Sequence, residues 1–170
     1  LSFQNYEGLD FRFRYVLDTA RAGTFTTELS GAYVDTLETQ TTAADPVVEN
    51  IGFASLPELR ANLDFLYEYG DLSARVFLIW VDEMCGVNGG TTPGATTCAP
   101  DEFIDDYMLT NLNAAYDLGD WGRFSLGINN VFNEDPADDP TSNNWPWFFN
   151  NGGFSNPIGR EITLAWNKQF

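Results

Sequence analysis

The chain has 170 residues, long enough for a single domain with a sizeable core, and its 25 Asp+Glu against 8 Lys+Arg give a formal charge of -17. That balance repels nucleic-acid phosphate, so no nucleic-acid partner is expected, and the absence of histidine removes the commonest general base and the commonest transition-metal ligand. No stretch approaches the roughly 18 apolar residues of a membrane-crossing helix, and "LSFQNYEGLDFRFRY" lacks the basic start and apolar run of a signal peptide.

A period of two recurs along the chain, the mark of half-buried strands. "GLDFRFRYVL" sets Leu9, Phe11, Phe13, Tyr15 and Leu17 opposite Asp10, Arg12, Arg14 and Val16. "TFTTELSGAYVD" sets Phe25, Leu29 and Tyr33 opposite Thr26, Glu28 and Ser30. "LRANLDFLYE" sets Leu59, Ala61, Leu63, Phe65 and Tyr67 opposite Arg60, Asn62, Asp64 and Glu68. "LSARVFLIWVD" is apolar on both faces beyond Arg75, and placing Ser73 with Arg75 on the polar side turns Ala74, Val76, Leu78 and Trp80 the other way. "YMLTNLNAAYD" aligns Met108, Leu112, Ala114 and Tyr116. "RFSLGINNVF" aligns Phe124, Leu126 and Ile128 opposite Arg123, Ser125, Gly127 and Asn129. Finally "EITLAWNKQF" aligns Ile162, Leu164, Trp166, Lys168 and Phe170 opposite Glu161, Thr163 and Ala165.

The connections alternate in length. Tight turns at "DTARAG", "EYGDLS" and "DLGDWG" carry the Gly and Asp that hairpins use. Long loops occupy roughly 36 to 57, 83 to 103 and 133 to 158. Strict alternation gathers the tight turns at one end of a sheet and the long loops at the other, the plan of a bacterial outer-membrane barrel. A soluble antiparallel sandwich gives the same alternation with its apolar face turned to a core instead of lipid. Tyr15, Tyr67, Trp80, Tyr116 and Trp166 lie near strand termini, where an aromatic girdle would lie, and this favours the membrane.

"GRFSLGINNVFNEDP" followed by "NPIGREITLAWNKQF" resembles the last two strands of TonB-dependent outer-membrane transporters. In that family the penultimate strand ends in a Gly-x-x-Asn-Leu-Phe-Asp-like stretch, and the last strand ends at a terminal Phe. Here the stretch reads Gly127, Ile128, Asn129, Asn130, Val131, Phe132, Asn133, with Val131 and Asn133 at the Leu and Asp positions. "YEGLDFRFRY" and "LRANLDFLYEYGDLSARVFLIWVDE" also resemble strand pairs of the family, so the likeness spans nearly the whole chain.

The resemblance implies an all-β fold: residues 1–170 as the last seven strands of an antiparallel transmembrane β-barrel of about 22 strands with long extracellular loops. The plug domain and earlier strands would lie outside this chain. It implies active uptake of a scarce nutrient, of the iron-chelate, cobalamin or carbohydrate class, with no catalysis and no cofactor. Implied partners are outer-membrane lipid and lipopolysaccharide, the TonB complex through the plug, the nutrient, and the barrel-assembly machinery. That machinery would read Phe170, Trp166, Leu164 and Ile162; Lys168 stands where the family usually has an aromatic residue. A passive porin and a soluble β-sandwich binding module remain the alternatives.

Cys85 and Cys98 share the loop "MCGVNGGTTPGATTCAP", and in an exported Gly/Thr/Pro-rich loop they read as a disulfide. Closing that loop would stabilise it by about 3 kcal/mol in the chain-entropy model. The three long loops contain no Lys or Arg but hold Glu38, Asp45, Glu49, Glu83, Asp101, Glu102, Glu134, Asp135, Asp138 and Asp139. These acids either keep an exposed surface soluble or repel anionic ligands. "NEDPADDP" lacks the Gly and final Glu of an EF-hand loop, and no metal site is expected there.

"SNNWPWFFNNGGF" sets Trp145, Trp147, Phe148 and Phe149 among Asn144 and Asn150, flat apolar faces beside amide donors and acceptors. The arrangement suits stacking on a sugar ring or aromatic chelator, or packing of loop on loop. With no cation in the loops, a neutral sugar or a neutral or cationic chelate is favoured over a polyanion. Replacing Trp145 and Trp147 together with Ala in the full-length protein is expected to weaken ligand binding by about 1 kcal/mol or more per ring, measured calorimetrically. Unchanged affinity would leave the loop a packing role.

Overall fold

In the computed structural model, residues 2–53, 56–86, 98–99, 101–140 and 157–168 are described. The strands are β1 (Phe3–Thr19), β2 (Gly23–Gln40), β3 (Val48–Glu49), β4 (Leu59–Tyr69), β5 (Leu72–Val81), β6 (Met84–Cys85), β7 (Phe103–Ile104), β8 (Tyr107–Asp117), β9 (Arg123–Asn129) and β10 (Glu161–Asn167). The one other helical or strand element among the described residues is a single 3-10 turn, Gly119–Trp121.

The long strands form one antiparallel meander, β1-β2-β4-β5-β8-β9-β10, in which every neighbour in space is the next long strand in sequence. β3 adds to β2 beyond the start of β4, and β6 pairs with β7 as a separate ribbon. β1 and β10 are the two edges of the main sheet and do not pair with each other, so the described sheet is open.

Register converts the alternation of each strand into two continuous surfaces. Phe13 faces Leu29, Leu29 faces Leu63, and Leu63 faces Leu78. Lower on the same face, Leu112 meets Ile128 and then Ile162, while Ala114 meets Leu126 and then Leu164. Val76 pairs with Phe65 and Leu112, which puts Ala74, Val76, Leu78 and Trp80 on the apolar face as expected for β5. The other face collects Arg12, Arg14, Glu28, Arg60, Asn62, Asp64, Arg75, Asn113, Arg123 and Glu161.

The tight turns lie at one end, as their composition implies. Gly70 takes φ 55° at the first position of the two-residue β4–β5 turn, where glycine meets the twist at least cost. At this end the apolar face is aromatic: Tyr69, Tyr116, Phe124 and Trp166 occupy successive register positions around Leu72. Phe124 and Trp166 stack with centroids 6.0 Å apart, and Phe25 and Tyr67 with centroids 4.8 Å apart.

The first hairpin is longer than its alternation suggests. β2 runs on to Gln40, taking in residues read from sequence as the start of the 36 to 57 loop. The cause is a bulge: Gly8 pairs with Val34 but Glu7 pairs with Thr36, so Asp35 is an extra residue and the period of two is lost there. β3, β6 and β7 likewise put short strands inside the regions expected to be loop.

Gly31 lies under the Phe11 ring. A Cβ there would come 2.5 Å from Phe11 Cζ and 2.6 Å from the Arg60 carbonyl oxygen, and the second neighbour is backbone that cannot swing away. Gly31→Ala is expected to destabilise the sheet by about 1 to 3 kcal/mol, read from the urea midpoint of the full-length protein refolded in micelles. An unchanged midpoint would contradict this close approach.

Candidate functional site

The polar face is organised by charge pairing across the ladder. Arg12 bonds Glu28 on the next strand (Nη2 to Oε1, 2.8 Å), and Arg75 holds Asp64 through both carboxylate oxygens, with Nε to Oδ1 at 2.8 Å. In each pair the partners sit diagonally, because Arg12 is directly opposite Ser30 and Arg75 opposite Leu66. Long side chains span such diagonals readily. The pairs are partly exposed, so solvent screens them and each contributes little to stability. Their consequence is a wall that stays polar while holding its charges in place.

Between β5, β8, β9 and β10 this wall dips into a groove of about 460 Å³. Small residues, Ser125 and Gly127, make room for it, and Ser73, Arg75, Asn113, Arg123, Asn129 and Thr163 surround it. Arg123 makes one long hydrogen bond, from Nη2 to Ser73 Oγ at 3.4 Å. Asp117 is directly across the ladder from Arg123, but its Oδ1 accepts the Gly119 N–H at 2.8 Å within the turn. Arg123 therefore has no ion pair among the described residues.

At the opposite end the bases of the three long loops are locked together. The disulfide Cys85–Cys98 is formed, with Cα atoms 5.7 Å apart. Cys85 is 1% exposed, and its N–H donates to the Gly52 carbonyl at 2.7 Å, joining the second loop to the first. Val81, Met84 and Ile104 form a small apolar cluster, with Ile79 and Ala137 against it. Val81 and Ile79 belong to the polar face, so the loop bases pack above that face rather than above the apolar one. In the first loop, the Glu49 carboxylate accepts the N–H groups of Leu37, Asn50 and Ile51, and Asn50 Nδ2 reaches the Leu37 carbonyl and Thr39 Oγ1.

The third loop is anchored by two asparagines with left-handed backbone, Asn130 (φ 54°) and Asn133 (φ 57°), a conformation asparagine tolerates better than most residues. Asn111 Oδ1 accepts the Asn130 N–H at 2.9 Å, and the ladder resumes with Val131 N–H on the Thr110 carbonyl. The buried Asn130 side chain donates to the Glu134 carbonyl and accepts the Glu134 N–H, both at 2.8 Å. Asn133 Oδ1 accepts the Arg160 N–H at 3.0 Å, tying the loop's start to its return. The stretch singled out in the sequence for its family likeness is thus a side-chain-capped exit from β9.

Of the residues expected to act, Trp145, Trp147, Phe148, Phe149, Asn144, Asn150 and Phe170 lie outside the described residues. Ile162, Leu164 and Trp166 lie together on the outer edge of the apolar face, Leu164 at 79% exposure, and Trp166 Nε1 donates to the Trp121 carbonyl at 2.7 Å. The acidic loop residues do not converge on a cation site; the one ligand-like cluster among the described residues is Cys85, Cys98 and Glu102, whose sulfurs are committed to the disulfide. The groove beside Arg123 was not singled out by sequence reading, because its members are scattered over five strands, β4 included through Leu66, and converge only through register.

No family model, no curated protein and no solved structure matches this chain.

Asn130→Ala removes two side-chain hydrogen bonds and leaves a residue that resists the left-handed conformation. It is expected to loosen the loop anchor by about 1 to 3 kcal/mol, raising protease cleavage between residues 132 and 140 about tenfold. Cleavage at the wild-type rate would contradict the anchoring role.

Proposed function

We propose that this chain is a C-terminal part of the barrel of a TonB-dependent outer-membrane transporter, which captures a nutrient on its external loops and imports it with TonB-supplied energy. The observation that carries this reading is the pair of faces on one sheet. An apolar surface, interrupted by Thr27 and Thr110, runs from Leu9 on β1 to Leu164 on β10, and no described element packs against it. A soluble sheet exposing so many large apolar groups, including Phe13 at 65% and Ile162 at 64%, would lose solubility. Lipid is the solvent such a face suits, and the ion-paired face then lines a wet lumen.

Three further features support the reading. The aromatic row at the tight-turn end is placed as an interfacial girdle would be. Long loops gather at the other end, where an outer-membrane barrel has its extracellular side. The Gly127–Asn133 exit from β9 carries the family-like stretch.

The two faces make the test. Leu126 and Ser125 are neighbours in sequence on opposite faces of β9. Leu126→Arg is expected to cost roughly 2 to 4 kcal/mol near the bilayer centre and to block membrane assembly, while Ser125→Arg assembles normally. Assembly is scored by heat-modifiable migration of the full-length protein from outer-membrane fractions. Equal tolerance of the two substitutions would refute the orientation and with it the membrane reading.

A further inference from the structure

The chain carries 25 acidic and 8 basic side chains, yet the groove between β5, β8, β9 and β10 gathers two of the basic ones and no carboxylate. Arg75 is neutralised by Asp64, which holds it with two hydrogen bonds. Arg123 is not neutralised: its hydroxyl contact to Ser73 is long, and the carboxylate facing it, Asp117, is turned into the hairpin. Glu161, the nearest acid on the β10 side, is opposite Asn129, and its Oε2 accepts Asn129 Nδ2 at 3.5 Å. Arg123 is left at the groove without an ion pair among the described residues, with Asp117 and Asp120 on its turn side.

The rest of the lining is uncharged: Leu66, Ala74, Ala114, Ala115 and Leu126 are apolar, and hydrogen-bonding side chains stand among them. Asn113 and Asn129 offer amide donors and acceptors, while Ser73, Ser125 and Thr163 offer hydroxyls that can do either. Such a set matches a ligand with many hydroxyls, and a lone guanidinium matches a single carboxylate through paired N–H···O bonds. At Gly127 the Asn113 side chain fills the space that a Cβ would take, its Oδ1 3.3 Å from that position, so the Asn113 amide lies over the backbone of the floor.

We propose that this groove is a binding subsite for an acidic saccharide of the uronate kind, with Arg123 taking the carboxylate and Asn113, Asn129 and Ser125 taking ring hydroxyls. The inference rests on the polar face being a lumen wall and deepens that reading by naming the ligand class. A ligand mostly neutral with one charge also suits loops that hold acids and no bases, because each added negative charge would be repelled at that end.

Binding is measured by calorimetry on the full-length protein in detergent, with a disaccharide of one galacturonate and one galactose unit, which carries a single carboxylate, and the neutral galactose disaccharide as probes. The expected result is at least tenfold tighter binding of the acidic probe, lost in Arg123→Gln and kept in Arg14→Gln, which removes a cation on the same face outside the groove. Equal binding of the two probes, binding of neither, or acidic binding that survives Arg123→Gln overturns the proposal. Should Arg123→Gln fail to assemble, the wild-type comparison decides alone: a tenfold preference supports the subsite and no preference overturns it. Failure here is distinct from failure of the transport reading, which is decided by whether Leu126→Arg and Ser125→Arg differ in assembly.

Discussion

The constraint on which this molecule depends is that a sheet one layer thick gives every side chain one of two faces. No second layer among the described residues lets a polar group on the apolar side be covered, or an apolar one on the polar side be rescued. A slip of one residue between neighbouring strands would carry arginines such as Arg75 onto the apolar surface and Leu78 onto the polar one. The register is therefore held by many modest contacts acting together: diagonal ion pairs on one face, stacked rings on the other, and tight turns at one end. Short-range order of this kind needs only neighbours in sequence, since each long strand pairs with the next.

This explains how much could be read from the chain. The faces of β1, β4, β8, β9 and β10 follow from alternation because each has polar residues at every second place over most of its length. β5 is the instructive case: from Val76 to Val81 it is apolar throughout, and two residues, Ser73 and Arg75, were enough to orient it. The disulfide was legible because two cysteines shared one loop. The bulge at Asp35 was not, because an inserted residue erases the period that reveals the strand. The loop bases were equally hidden. Met84 and Ile104 come from separate points of the chain, and nothing local marks them as partners in one cluster with Val81. Asn130 looked like one more loop asparagine, yet it closes the exit of β9 with bonds to Asn111 and Glu134.

Charge is distributed with the same economy. Acidic residues crowd the long loops, whereas Arg12, Arg14, Arg60, Arg75 and Arg123 all project from the polar face of the sheet. The net charge of -17 is thus not uniform. Acids stand at the loop end, and fixed cations stand on the polar face of the sheet below it. Two of those cations, Arg12 and Arg75, are held by neighbouring acids, and Arg123, which has no ion pair among the described residues, stands where small side chains leave room. Local geometry, more than total charge, sets what such a wall can hold.

The central claim is that alternate residues of one strand face lipid and water. It is tested most directly by nitroxide labels placed singly at residues 73 to 80 of β5 in the full-length protein, reconstituted in lipid vesicles. Collision with oxygen, which partitions into lipid, and with a water-soluble nickel chelate would be measured at each site. The account predicts that 74, 76, 78 and 80 favour oxygen, while 73, 75, 77 and 79 favour the chelate or neither. Oxygen and chelate access without a period of two, or chelate access at 74, 76, 78 and 80 throughout, would contradict it.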